Sequence, residues 1–180
     1  MALPQFAADW ARVNALFYKF KKYRRKMSVM ADKSKIGIKL PTYRLNVERV
    51  KIRELMAAIG DDNPIYLDKS RAIAEGYPDT PCPPTYITMA FQEFTGAYLK
   101  IFEILAVPLE HVLHGEEEYE YSGDIFPGDV LRCQMSCESI VEKQTKSGIL
   151  DLITLQTIFT NQEDQTVLKA RSLIIERVQV

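Results

Sequence analysis

Histidine, cysteine and long apolar runs are all scarce in this chain of 180 residues, which has two His and three Cys. The cysteines, Cys82, Cys133 and Cys137, are odd in number and form no C-x-x-C pair. A structural zinc site is therefore not expected. If Cys133 and Cys137 share a strand they lie on one face about 13 Å apart, too far for a bridge. That usage points to a reducing, cytoplasmic setting. His111 and His114, followed by Glu116, Glu117 and Glu118, lack matching ligands elsewhere, so no metal and no other cofactor is implied. No stretch approaches the ~20 apolar residues of a membrane span.

What is present is ordinary globular composition, 47% hydrophobic and 26% charged. A chain of this size can bury about 70% of its unfolded surface in one core. Its net charge of −1 hides an asymmetry, because residues 1–35 hold nine Lys/Arg against two Asp. Phe6, Trp10, Val13, Phe17 and Phe20 recur there at helical spacing. We read residues 1–35 as a basic amphipathic helical arm and 36–180 as the domain. The arm would dock on the domain or a partner subunit; alternatives are contact with an acidic carrier protein or CoA phosphates, or a targeting segment, with Met27 as an alternative start. Export is not expected, since no secretory-type apolar core is present. Nucleic acid is not an expected partner, since no recognised motif accompanies the basic run and the body is acidic.

Along the domain, Ile36 to Val47 reads as a strand in which Tyr43, Leu45 and Val47 alternate with polar residues. Glu48 to Ile59 reads as a helix with Val50, Leu55 and Ala58 or Ile59 inward, closed by Gly60. Asp61 to Pro84 is irregular, and long loops of that kind are usually functional or packed on themselves. From Thr85 an apolar helix of about 20 residues is predicted, carrying Ile87, Ala90, Phe91, Phe94, Ala97, Tyr98, Ile101, Phe102 and Leu105 and ending before Pro108. Apolar over most of its circumference, it must be buried on several sides. The last third supplies the cover: a short aromatic strand at Glu118–Ser122, a turn at Phe126–Asp129, then strands from Leu131, from Ile149 to Thr160 and from Val167 to Val178. A hairpin loop falls at Asn161–Gln165. The fold class is α+β, a long central helix wrapped by a curved antiparallel sheet.

Five short motifs fall in a telling order: Gly60-Asp-Asp-Asn-Pro-Ile-Tyr66, Pro83-Pro-Thr-Tyr86, Leu113-His-Gly-Glu116, Phe126-Pro-Gly-Asp129 and Ala170-Arg-Ser172. On these the chain resembles the MaoC-like hydratase/dehydratase family, in its FAS1-like dehydratase N-terminal branch, which includes the substrate-binding subunits of mycobacterial (3R)-hydroxyacyl-carrier-protein dehydratases. The resemblance covers roughly residues 36 to 178 and implies a hot-dog fold. It also implies addition or removal of water across the 2,3-bond of an acyl-CoA or acyl-carrier-protein thioester. Active members carry Gly-Asp-x-Asn-Pro-x-His, whose Asp and His share acid and base work at a water. The chemistry favours imidazole, because water gives up its proton readily only to a base with pKa near neutral. An enolate oxygen needs N–H donors, which helix N-termini offer.

This chain keeps Asp61 but has Tyr66 where the histidine is expected, and a phenol near pKa 10 is a poor base at neutral pH. Where active members show His-Gly it has Pro83-Pro84, and proline has no N–H to donate. The candidate catalytic residues are thus Asp61 and Tyr66. Asn63, Pro84, Thr85, Tyr86, Met89 and His114 are candidate substrate-binding residues, with Met89, Ala90 and Ala97 bordering any acyl tunnel along the helix. An intact scaffold with a broken motif implies a subunit that holds the acyl chain while a MaoC-like partner supplies the Asp/His pair. Two alternatives stand: a self-sufficient homodimeric hydratase, using Asp61 with Tyr66 or His114, or a thioesterase; and a non-catalytic acyl-CoA-binding or assembly module.

Overall fold

The computed structural model describes residues 30–88, 95–146 and 148–177. The aromatic stripe expected for the arm, Met89, Ala90, Phe91 and Phe94 of the expected long helix, and Val178 lie outside the described residues. The elements are β1 (Tyr43–Asn46), α1 (Arg49–Ile59), α2 (Pro64–Leu67), α3 (Lys69–Ala74), α4 (Thr95–Leu105), β2 (Val112–Tyr121), β3 (Val130–Thr145), β4 (Gly148–Thr160) and β5 (Thr166–Arg177). Single 3-10 turns at Lys33–Lys35 and Leu109–His111 precede β1 and β2. The five strands form one sheet in the order β1-β3-β4-β5-β2, antiparallel throughout.

Period-two patterning is what gives the sheet a buried face. On β3, Leu131, Cys133, Met135 and Cys137 are each 0% exposed. Ile153, Leu155 and Phe159 do the same on β4, and Leu168, Ala170 and Ile174 on β5. This stripe is covered in two halves. Leu131, Cys133, Phe159, Leu168 and Ala170 pack with Ile52, Leu55 and Met56 of α1 and with Tyr86 and Ile87. Met135, Cys137, Ile153, Leu155 and Ile174 pack with Ile101, Phe102 and Leu105 of α4 and with Ala31 and Leu40. The helix stops where Ala106 turns left-handed (φ 61°) and Val107 N–H reaches back to Phe102 O at 2.9 Å.

Several boundaries differ from expectation for identifiable reasons. The first strand is only Tyr43–Asn46, since Pro41 lacks an N–H for the ladder; Gly37 and Leu40 still donate to Cys137 O and Met135 O at 2.8 Å. On α1 the stripe is Ile52, Leu55 and Met56, while Val50, Ala58 and Ile59 are exposed. Val50 precedes Ile52 by two residues and so falls on the opposite side. Gly60 is left-handed (φ 71°) as expected of the cap. The stretch from Asp61 contains two short helices, α2 and α3, rather than pure loop. β2 begins at Val112, six residues earlier than expected, because its run of glutamates conceals the alternation.

At the centre of this stripe Met135 of β3 is fully buried and packs with the residues of α4. Met135→Ala should cost about 2–5 kcal/mol, read as a lower midpoint in urea denaturation with an unchanged slope.

Candidate functional site

The motif segment is a self-organised turn. Gly60 ends α1, and Asp61 N–H donates to Met56 O at 3.0 Å. Asp61 Oδ1 then accepts from Asn63 N–H at 2.9 Å, and Asn63 Oδ1 caps α2 by accepting from Ile65 N–H at 3.2 Å. Pro64 opens that helix, where a missing N–H is harmless. Asp61 is half-buried and Asn63 exposed. Tyr66 is half-buried against the core formed with α1. Burial, and then the Asp61 carboxylate and Tyr77, push its phenol above the ordinary tyrosine value. Those influences act against a phenolate, the form a base would need.

A charge clamp holds this segment. Arg49 of α1 donates through Nη1 to Thr80 Oγ1 at 2.8 Å and through Nη2 to Asp79 Oδ2 at 2.9 Å, while Nη1 also lies 2.9 Å from Asp79 Oδ1. Lys69 Nζ of α3 reaches the same carboxylate at 3.0 Å. Two cations on one carboxylate hold Asp79 well below the usual range, with the Arg49 hydrogen bond the largest cause. Thr80 is 1% exposed, so the clamp joins α1, α3 and the approach to Pro83 into one unit.

In the Pro83–Tyr86 motif, Pro84 and Thr85 are exposed. Pro84 O accepts from Tyr121 O–H at 2.7 Å, and Thr85 O accepts from Thr88 N–H and Oγ1–H. Tyr86 is 1% exposed, and its hydroxyl accepts from Glu48 N–H at 3.3 Å, so it packs in the core beneath α1. Met89 lies outside the described residues.

His114 sits on β2, and here the structure assembles a group that the sequence reading missed. His114 pairs with Ile174 and Glu117 with Ser172 of β5, with the register shifting between His114 and Glu116. Ile174 and Ser172 both belong to the buried face. The bulge at Gly115 therefore brings His114 and Glu117, three residues apart, to the same face of a strand on which odd spacings alternate sides. His114 Nε2 lies 2.6 Å from Glu117 Oε1. Beyond them, Tyr98 of α4 shares a hydrogen bond of 2.9 Å with Ser172. Tyr98 is raised chiefly by burial, with Glu117 and Tyr119 adding to it, and burial and Glu117 push Tyr119 up to about 12. Glu117 Oε2 and Tyr119 O–H are buried without a hydrogen-bond partner among the described residues. Ser172 ends a motif that was recognised, Ala170-Arg-Ser172; Glu117 was masked as one of three successive glutamates, and nothing in the sequence marks Tyr98 as polar rather than core.

A helix against one face of a five-stranded antiparallel sheet, with this turn at one end, is the hot-dog architecture of hydratases and dehydratases. The model of the FAS1-like, dehydratase domain region matches residues 34–170, and the chain belongs to that family. Among similar proteins, a UPF0336 protein of Thermobifida fusca is 31% identical over 131 residues, covering 73% of this chain and 83% of that protein. The C-terminally truncated HadBC (3R-hydroxyacyl-ACP dehydratase) complex of Mycobacterium tuberculosis superposes with a TM-score of 0.68 at 20% identity, over 82% of this chain and 99% of that one. A MaoC-like dehydratase gives 0.67 at 25% identity, over 80% of this chain and 42% of the other. No helix among the described residues is long and apolar enough to cross a membrane.

Two outcomes follow from this geometry. A Cβ at Gly115 would lie 3.1 Å from both Leu173 O and Ile175 Cδ1. Gly115→Ala should therefore strain the β2–β5 ladder and lower the thermal midpoint, by roughly 1–3 kcal/mol of stability. Asp79→Asn should cost about 1–3 kcal/mol at pH 7. Because the native pKa of Asp79 lies below its unfolded value, the wild-type advantage is complete at neutral pH. It should shrink only as pH falls below about 4, which thermal melts of both proteins across pH would show.

Proposed function

We propose that this chain is the acyl-chain-binding subunit of an enoyl-thioester hydratase or (3R)-hydroxyacyl-thioester dehydratase, and that a second chain of the same fold supplies the Asp/His pair. The observation that carries the proposal is Tyr66, which stands at the histidine position with its phenol raised rather than lowered. A base must be deprotonated to take a proton from water, and here burial and the neighbouring carboxylate both oppose ionisation. Asp61 remains, but its Oδ1 is engaged by Asn63 N–H within the turn. The helix start adds Pro84, which offers no N–H to an enolate oxygen.

Support for a partner comes from the sheet. β2 is an edge strand of ten residues whose Leu113 is 57% exposed, and an unpaired edge of that length invites pairing. The HadBC complex to which the fold is similar is itself a two-component 3R-hydroxyacyl-ACP dehydratase. The ligand assigned is an acyl-CoA or acyl-carrier-protein thioester, and Asn63 of the turn, Pro84 and Thr85 of the second motif and His114 of β2, together with Met89, are assigned to its binding, while Tyr86, packed in the core, supports Thr85 from below. Cys133 and Cys137, buried as free thiols, suit a reducing cytoplasm.

A second reading rests on the His114–Glu117 contact of 2.6 Å. A carboxylate beside an imidazole fixes its tautomer and its orientation, so a homodimer could work through this pair instead. Hydration of crotonyl-CoA by the purified chain, alone and with a MaoC-like partner bearing Gly-Asp-x-Asn-Pro-x-His, separates the two. The subunit proposal expects no turnover alone, turnover with the partner, and a loss of about 100-fold or more when the partner's histidine is replaced. Turnover by the chain alone that disappears in His114→Ala establishes the second reading and removes the first.

A further inference from the structure

The least expected charges in the described structure are outside this site. Asp151 of β4 and Glu176 of β5 face each other across the ladder, and both are 0% exposed. Asp151 Oδ2 and Glu176 Oε2 accept from one donor, the backbone N–H of Ala31, at 3.0 Å each. Their other oxygens, Oδ1 and Oε1, are buried with no hydrogen-bond partner among the described residues. Among the described residues the cation within reach is Lys33, whose Nζ lies 3.9 Å from Asp151 Oδ1 but makes its short contact, 2.9 Å, to Glu142.

A peptide N–H brings one proton and no charge to this pair. It cannot serve both carboxylates fully and neutralises neither, and buried carboxylates of like charge are tolerated only when paired. With that amide alone between them, burial and the Asp151 charge push Glu176 up to about 7. An ammonium at the same nitrogen would supply three protons and one positive charge. The residue before Ala31 is Met30, and removal of an initiating methionine requires a small residue such as alanine next to it. Ala31 is itself 4% exposed, and Asp32 N–H is pinned to Leu105 O at 2.8 Å, so the nitrogen is held in place from its C-terminal side. The family match takes up only beyond this point.

We propose that the working polypeptide begins at Ala31, with its free α-ammonium seated between Asp151 and Glu176 as a buried ion triad. The release is a hydrolysis. Water cleaves the Met30–Ala31 peptide bond, its oxygen goes to the methionyl carboxyl group, and the Ala31 nitrogen takes the proton and, at neutral pH, becomes an ammonium. The catalyst is a methionine aminopeptidase if synthesis starts at Met30, or an endopeptidase if a longer precursor is cut. The basic arm is then no part of the assembled protein. This inference is independent of the acyl-thioester reading.

N-terminal mapping by mass spectrometry of the protein isolated from its own cells should find a chain that begins at Ala31 with an unblocked amine. A mature chain retaining residues before Ala31, or blocked at Ala31, overturns the proposal. Expressing the full coding sequence with Met1→Leu identifies the origin: the Ala31 chain persists if synthesis starts at Met30 and vanishes if a precursor is cut, and both results uphold the buried terminus. In the folded protein the Ala31 amine should also react with an amine-directed label about tenfold or more slowly than in the Asp151→Asn, Glu176→Gln double variant, the change expected for a one-unit fall in amine pKa. Equal rates in the two folded proteins overturn the triad.

Discussion

Ile101, Phe102 and Leu105 leave water only because the inward faces of β3, β4 and β5 close over them, and every other feature is fitted around that burial. A sheet can cover a helix in this way only if each strand keeps its alternation in phase with its neighbours, since a slip of one residue turns every side chain to the other face. The ladder pairs Met135 with Thr157 and Ile153 with Ile174, so the three stripes coincide. The second half of the same face is covered by α1 with Tyr86 and Ile87, which places the Gly60–Tyr66 turn at the rim of the core and not on a detached loop.

From that placement the chemistry of the turn follows. Packing Tyr66 against the core gives the phenol a half-dry environment, and a half-dry phenol beside a carboxylate is a weaker acid and so less available as a base. The Arg49–Asp79–Lys69 clamp ties together α1 and α3, the helices on either side of the turn. The inner face of β2 is the opposite case. There a one-residue bulge turns two ionisable side chains, His114 and Glu117, toward the same side, next to Tyr98, Tyr119 and Ser172.

The buried acids at Asp151 and Glu176 obey the same rule that shapes the rest of the sheet. Their positions in β4 and β5 are inward ones, in phase with the buried Ile153, Leu155 and Phe159 on one strand and Ala170, Ser172 and Ile174 on the other, so the strand pattern itself commits two carboxylates to the interior. A position of that kind demands a cation or a proton, and the chain brings the Ala31 nitrogen to it from 120 residues away in sequence.

Much of this was legible from residues alone. Strict alternation from Leu131 to Cys137 marked the buried face of β3, Gly60 marked the end of α1, and the five ordered motifs marked the family; each is a local pattern, set by backbone period or by a residue with special torsion freedom. The division of α1 into buried and exposed sides was misjudged because Val50 and Ile59 are apolar yet face away from the sheet, and only docking decides which arc of a helix is covered. β2 was read too short because charge hides alternation on an edge strand that is solvated along most of its length. The His114–Glu117 pair, the polar contact of Tyr98 with Ser172 and the acids around Ala31 could not be read at all. Each joins residues whose approach depends on a bulge, on strand register or on a chain segment folding back, and a one-dimensional pattern carries no record of distances that only packing creates.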